Sequence, residues 1–89
     1  MYNYEIKPYL KRILDKLSKK DKSLYEQVLG KIEEIISSEN VGHYKQLKYT
    51  LKQFKGVHIG HFVLVFKLDE SLNLISFDDF DHHDKIYRR

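Results

Sequence analysis

From Phe62 to Leu68 the chain reads Phe-Val-Leu-Val-Phe-Lys-Leu, apolar everywhere except Lys67. A short apolar run bounded by Gly60 on one side and Asp69-Glu70-Ser71 on the other is the pattern of a central strand covered on both faces. Most of an 89-residue chain must then be organised around this strand. The bulkier set, Phe62, Leu64, Phe66 and Leu68, should face one covering layer. His61, Val63, Val65 and Lys67 should face the other way, because side chains alternate along a strand.

The first half supplies helical cover. After Pro8, suited to a first helical turn, Leu10, Ile13, Leu14 and Leu17 recur at helical spacing. Ser18–Ser23 reads as a polar, lysine-rich turn. Leu24, Tyr25, Val28, Leu29, Ile32, Ile35 and Ile36 predict a second amphipathic helix, ended by Ser37-Ser38-Glu39-Asn40 and Gly42. Tyr2–Lys7 alternates apolar with polar residues, as a half-buried strand does. Phe54–Ile59 and Leu72–Phe77 predict two more strands. The expectation is one α+β domain over residues 1–89, in which an N-terminal strand and a two-helix hairpin accompany a mostly antiparallel, twisted sheet of four or five strands. The helices can cover only one face of so small a sheet, so the other face must be polar or put to use.

Composition limits the function classes. There is no cysteine, hence neither a disulfide framework nor a thiolate zinc site. No apolar run approaches a membrane span and the N-terminus lacks a signal pattern, so a soluble, cytoplasmic protein without a membrane partner is expected. The net charge is only +3, but it is unevenly spread. Between His43 and Lys67 the ionised groups are Lys45, Lys48, Lys52, Lys55 and Lys67, with no acid among them. From Asp69 to Asp84 they are all acids. The basic stretch suits phosphate backbones or an acidic protein partner; a solvated lysine face would look the same.

The chain closes on Phe80-Asp81-His82-His83-Asp84-Lys85-Ile86-Tyr87-Arg88-Arg89. Histidine exchanges protons near neutral pH, and arginine and lysine hold phosphates. Proton transfer at a phosphodiester, that is, RNA cleavage, is the leading chemistry. Plainer roles also fit: His58 as a bonded strand residue, His61 as a turn residue after Gly60, Tyr87 as an aromatic anchor. His82 and His83 cannot point the same way if the chain is extended there. The acids and histidines from Asp78 to Asp84 could also hold a divalent ion, although their spacing matches no ligand motif.

The order strand, helical hairpin, β meander resembles the RelE/ParE superfamily of type II toxin–antitoxin toxins, and within it the YafQ branch. The likeness rests on Tyr44-Lys45-Gln46-Leu47, Val57-His58-Ile59, His61-Phe62, Val63-Leu64-Val65-Phe66-Lys67-Leu68, and His83 followed four residues later by Tyr87. Two positions depart from that branch: His61 stands in place of an aspartate, and Lys45 in place of a histidine, with His43 nearby. RelE proper has an arginine early in the third strand, where this chain has Val63, so the resemblance implies a histidine-based rather than a strict RelE mechanism.

What the resemblance implies is a ribosome-dependent endoribonuclease that cuts messenger RNA with neither metal nor other cofactor. His58 and His83 would form the acid–base pair, His61 would assist, and Tyr87 would stack on a base or bond the scissile phosphate. Lys45, Lys48, Lys52, Lys55, Arg88 and Arg89 would hold RNA phosphates. The implied partners are a cognate antitoxin, the ribosome and messenger RNA. Two other readings within the superfamily are a non-catalytic ParE-like inhibitor of DNA gyrase and an inactive homologue that only binds antitoxin.

Overall fold

The computed structural model describes residues 1–48 and 51–88. Strand β1 (Asn3–Ile6) leads into helices α1 (Pro8–Lys20) and α2 (Lys22–Ile36). A 3-10 turn (Val41–His43) follows, then strands β2 (Lys55–Ile59), β3 (Phe62–Asp69) and β4 (Leu74–His82), and a final helical turn, α3 (His83–Tyr87). The sheet order is β1-β4-β3-β2, so β3 is central, as its apolar run predicts. β1 runs parallel to β4, with Asn3 opposite Leu74 and Ile6 opposite Phe77, and the other pairings are antiparallel. The architecture is the expected α+β arrangement with four strands.

The helices meet more tightly than the polar stretch Ser18–Ser23 suggests. Residues 18–20 finish α1, residues 22–23 begin α2, and Asp21 alone separates them. Its Oδ1 accepts the Leu24 amide hydrogen (3.1 Å), which caps α2. The lysines and serines of this stretch lie mostly on solvent-facing turns, where polarity and helix formation are compatible.

β4 runs on through the acidic stretch, past the expected end at Phe77. Val65 stands opposite Asp79 while Phe66 stands opposite Phe77, so Asp78 is an extra residue in β4, a β-bulge. The bulge resets the alternation, and Ile75, Phe77 and Phe80 all reach the same core. Asp78 Oδ1 accepts the Ser76 hydroxyl hydrogen (2.8 Å). At the other end, Asn73 takes a left-handed conformation (φ 51°) in the turn before β4, a conformation asparagine tolerates better than most residues.

The two faces of the sheet carry separate cores. On the helix side, Leu10, Leu14, Val28, Ile32 and Ile35 pack with Leu64, Phe66, Ile75, Phe77 and Phe80. On the other side, Val63 and Val65 pack with Leu47 and Ile86, flanked by Leu51 and Phe54. This matches the expected orientation of β3, and Lys67 lies over the Phe54 ring (5.5 Å to its centroid). The second face is therefore covered in part, by the segment before β2 and by α3, and what these two elements leave open is the site.

Candidate active site

The segment leading into β2 is held against the sheet by its backbone. The Leu47 amide donates to the Phe54 carbonyl (2.9 Å) and the Gly56 amide to the Lys45 carbonyl (3.0 Å). Gly56 allows a close approach there: a Cβ would stand 2.9 Å from Leu47 Cδ2 and 3.0 Å from Val63 Cγ1, so those side chains would have to shift to admit one. Tyr44 anchors the segment's start, its ring edge-on to Phe66 (5.6 Å) and its hydroxyl at 3.5 Å from Glu34. Burial pushes the Tyr44 phenol pKa above its ordinary value, and the Glu34 carboxylate adds to the shift.

α3 packs from the opposite side through Ile86, which is fully buried. Its N-cap is His82, whose Nδ1 accepts the Asp84 amide hydrogen (3.3 Å). The break between β4 and α3 falls between the two histidines, so the chain is not extended across them, and their rings lie 4.5 Å apart. The His83 amide donates to the His61 carbonyl (2.9 Å), which ties the start of α3 to the β2–β3 turn.

Between these two elements is a cleft of about 320 Å³ whose lining includes Lys45, Lys48, His58 and Tyr87. His58, on β2, faces away from the helix-side core, because its neighbours Val57 and Ile59 pack into that core. Its Nε2 and the Tyr87 hydroxyl share a hydrogen bond of 3.1 Å, 29 residues apart in sequence. His83 completes the group, its ring 6.5 Å from those of both His58 and Tyr87, and 6.2 Å from that of His61. Thus His58, His61, His83 and Tyr87, scattered over 30 residues, come together on one surface.

Lys52 and Lys55 do not line the cleft. The Lys52 carbonyl accepts from the Gln46 amide group, and Lys55 Nζ donates to the Tyr44 carbonyl (3.3 Å). Arg88 is the exposed C-cap of α3, and Arg89 lies outside the described residues. His43 is engaged elsewhere, its ring on Tyr44 (4.1 Å) and its Nδ1 against the Asn40 carbonyl.

One pairing escaped the sequence reading, which placed Asp84 in an acidic stretch and in a possible ion-binding cluster but not as the partner of His83. Asp84 Oδ1 is 3.1 Å from His83 Nδ1, and its Oδ2 is 3.7 Å from His82 Nδ1. In the neutral imidazole, a carboxylate on Nδ1 favours the proton there and leaves the lone pair on Nε2 of His83. The adjacency of His83 and Asp84 was the available signal. Chemically, the surface offers two neighbouring imidazoles, one of them hydrogen-bonded to a phenol, and two lysines that line the cleft with His58 and Tyr87, while His61 and His83 stand outside its lining. No helix is long and apolar enough to cross a membrane among the described residues.

No family model matches the sequence. Over its full length the chain is 51% identical to a Methanocaldococcus jannaschii protein named "Putative toxin RelE4", of which it covers 94%. The fold is similar to a chain of the RelBE2 toxin–antitoxin complex from Mycobacterium tuberculosis, with a TM-score of 0.75, 20% identity, and 92% of this chain and 98% of that one covered. It is also similar to YafQ from E. coli, with a TM-score of 0.68, 14% identity, and 98% and 99% covered. The two structural likenesses establish the fold; the archaeal relative establishes the family.

Proposed function

The chain belongs to the RelE family of toxins of toxin–antitoxin systems, and from that premise we propose that it is an endoribonuclease that cuts messenger RNA on the ribosome by histidine acid–base catalysis. The observation that carries this reading is the clustering of His58, Tyr87 and His83: the first two line a cleft with Lys45 and Lys48, and His83 stands beside them.

In this scheme the RNA 2′-hydroxyl attacks the adjacent phosphorus. One imidazole removes its proton and the other protonates the departing 5′ oxygen. Each needs to come within about 3 Å of its oxygen, and the His58 and His83 rings, 6.5 Å apart between centroids, are near enough to act on two oxygens of one phosphodiester laid against them. A phosphate oxygen seated by Tyr87 would take a hydrogen bond from its hydroxyl while lying next to His58. Lys45 and Lys48 offset the charge that builds on the phosphorane. Asp84 keeps His83 in one tautomer, and His61 supports His83 through the backbone bond between them. Lys52, Lys55, Arg88 and Arg89 extend the basic surface toward ribosomal and messenger phosphates. The partner that silences the toxin is a cognate antitoxin covering this face, as suits a family of paired proteins.

The test is primer extension on a message being translated in the presence of purified protein, wild type beside His83→Ala. Ribosome-dependent cuts with wild type and none with the variant are expected, since general acid–base groups contribute typically ~10²–10⁴-fold each. Absence of cuts with wild type would move the reading to a non-catalytic toxin.

A further inference from the structure

His82 has no role in this cleavage scheme, yet it belongs to a cluster with its own chemistry. One donor atom each from His82, His83 and Asp84 lies within 4.8 Å of the other two, the sole such trio among the described residues. His83 Nδ1 is 3.1 Å from one Asp84 oxygen and His82 Nδ1 is 3.7 Å from the other. Two donors sharing one tetrahedral zinc-sized ion stand roughly 3.3 Å apart, between these two separations. His61 closes the group, its ring 6.0 Å from that of His82 and 6.2 Å from that of His83, with 4.5 Å between the latter two. Imidazoles bound to one such ion stand about 5 Å apart, centroid to centroid. His82 Nδ1 accepts an amide hydrogen, so it carries a lone pair rather than a proton. Imidazole and carboxylate donors without thiolate select zinc, nickel or cobalt over magnesium and calcium.

We infer that this cluster binds a divalent transition ion of the zinc class through His82, His83 and Asp84, with His61 as fourth ligand, and that occupancy switches off RNA cleavage. The ion replaces the Asp84 amide hydrogen at His82 Nδ1 and holds His83 and Asp84 in its own coordination geometry. That takes His83 out of acid–base work. The ion acts as a brake and has no part in the cleavage chemistry. The inhibitory half rests on the ribonuclease reading above; the binding half does not.

Calorimetric titration of untagged protein with Zn2+ should give one ion per chain. His82→Asn should weaken binding at least ~10-fold, the scale seen even when partners outside a coordination sphere are removed. Asparagine still accepts the Asp84 amide hydrogen, so the cap on α3 is retained; Asp84→Asn is the second variant, with the same expected loss. Co2+ should give wild type a visible tetrahedral absorption band that His82→Asn lacks. No Zn2+ uptake by wild type, or uptake by both variants as tight as that of wild type, would overturn the site. In the cleavage assay, saturating Zn2+ should suppress wild type and spare His82→Asn at the same concentration. Equal suppression of both would place the ion's effect elsewhere. If the protein cuts no RNA at all, calorimetry and the cobalt spectrum still decide the site, so the two failures are separable.

Discussion

The two faces of the sheet solve different problems. The helix-side core is built from regular elements whose apolar residues recur at fixed spacing, and it includes the largest fully buried side chains, Phe66 and Phe77. Among the described residues, the opposite core is four buried side chains with two partial neighbours, drawn from an irregular segment, two alternate positions of β3 and one turn of helix. The first holds the fold together. The second presses two short elements onto the sheet so that a cleft remains between them. A small domain thus separates stability from chemistry by giving each its own side of one sheet.

That contrast can be broken, and the largest effect should come from the helix side. Phe66→Ala removes a fully buried ring and should cost ~3–5 kcal/mol, enough to unfold much of a marginally stable domain; urea denaturation measures it. Ile86→Ala, on the other side, falls in the general range of about 2–5 kcal/mol for such truncations. We expect the low end, because α3 is a single turn that can shift, and a disproportionate loss of cleavage because Tyr87 is the next residue. Equal stability costs for the two variants, with cleavage following stability in both, would erase the distinction. Gly56→Ala should cost ~1–3 kcal/mol by overpacking, since the new methyl meets Leu47 and Val63. It should also lift the segment bearing Lys45 and Lys48, seen as weaker RNA binding in a salt titration. Tyr87→Phe should barely move stability, by at most about 1 kcal/mol, because the hydroxyl's partner among the described residues is the exposed His58. It should still slow cleavage. A stability change as large as that of Ile86→Ala would make Tyr87 an anchor.

How much of this was legible in the sequence follows the same division. The helices and the central strand could be read because Leu10, Leu14, Val28, Ile32 and Ile35 keep one period, and Phe62 to Leu68 another. The extent of β4 could not, because the bulge at Asp78 breaks the alternation between Phe77 and Phe80. The second core has no period: Leu47, Leu51, Phe54 and Ile86 are isolated apolar residues, and only their meeting on Val63 and Val65 shows their purpose. At the site, residue identity with family resemblance named His58, His61, His83 and Tyr87, and their convergence is a tertiary fact. The pairing of Asp84 with His83, hinted at only by their adjacency, and the capping role of His82 were hidden for another reason. Both depend on the chain turning from strand to helix between residues 82 and 83, and an acidic stretch gives no sign of that turn.

The central claim is that His58 and His83 act as one acid–base pair. Its most direct test is the single-turnover cleavage rate of a ribosome-bound message by wild type, His58→Ala, His83→Ala and the double variant. Groups that work as a unit are strongly non-additive. The prediction is that each single variant loses at least ~10²-fold and the double variant loses little more. A His83→Ala protein as fast as wild type, or single losses that simply multiply in the double variant, would contradict it.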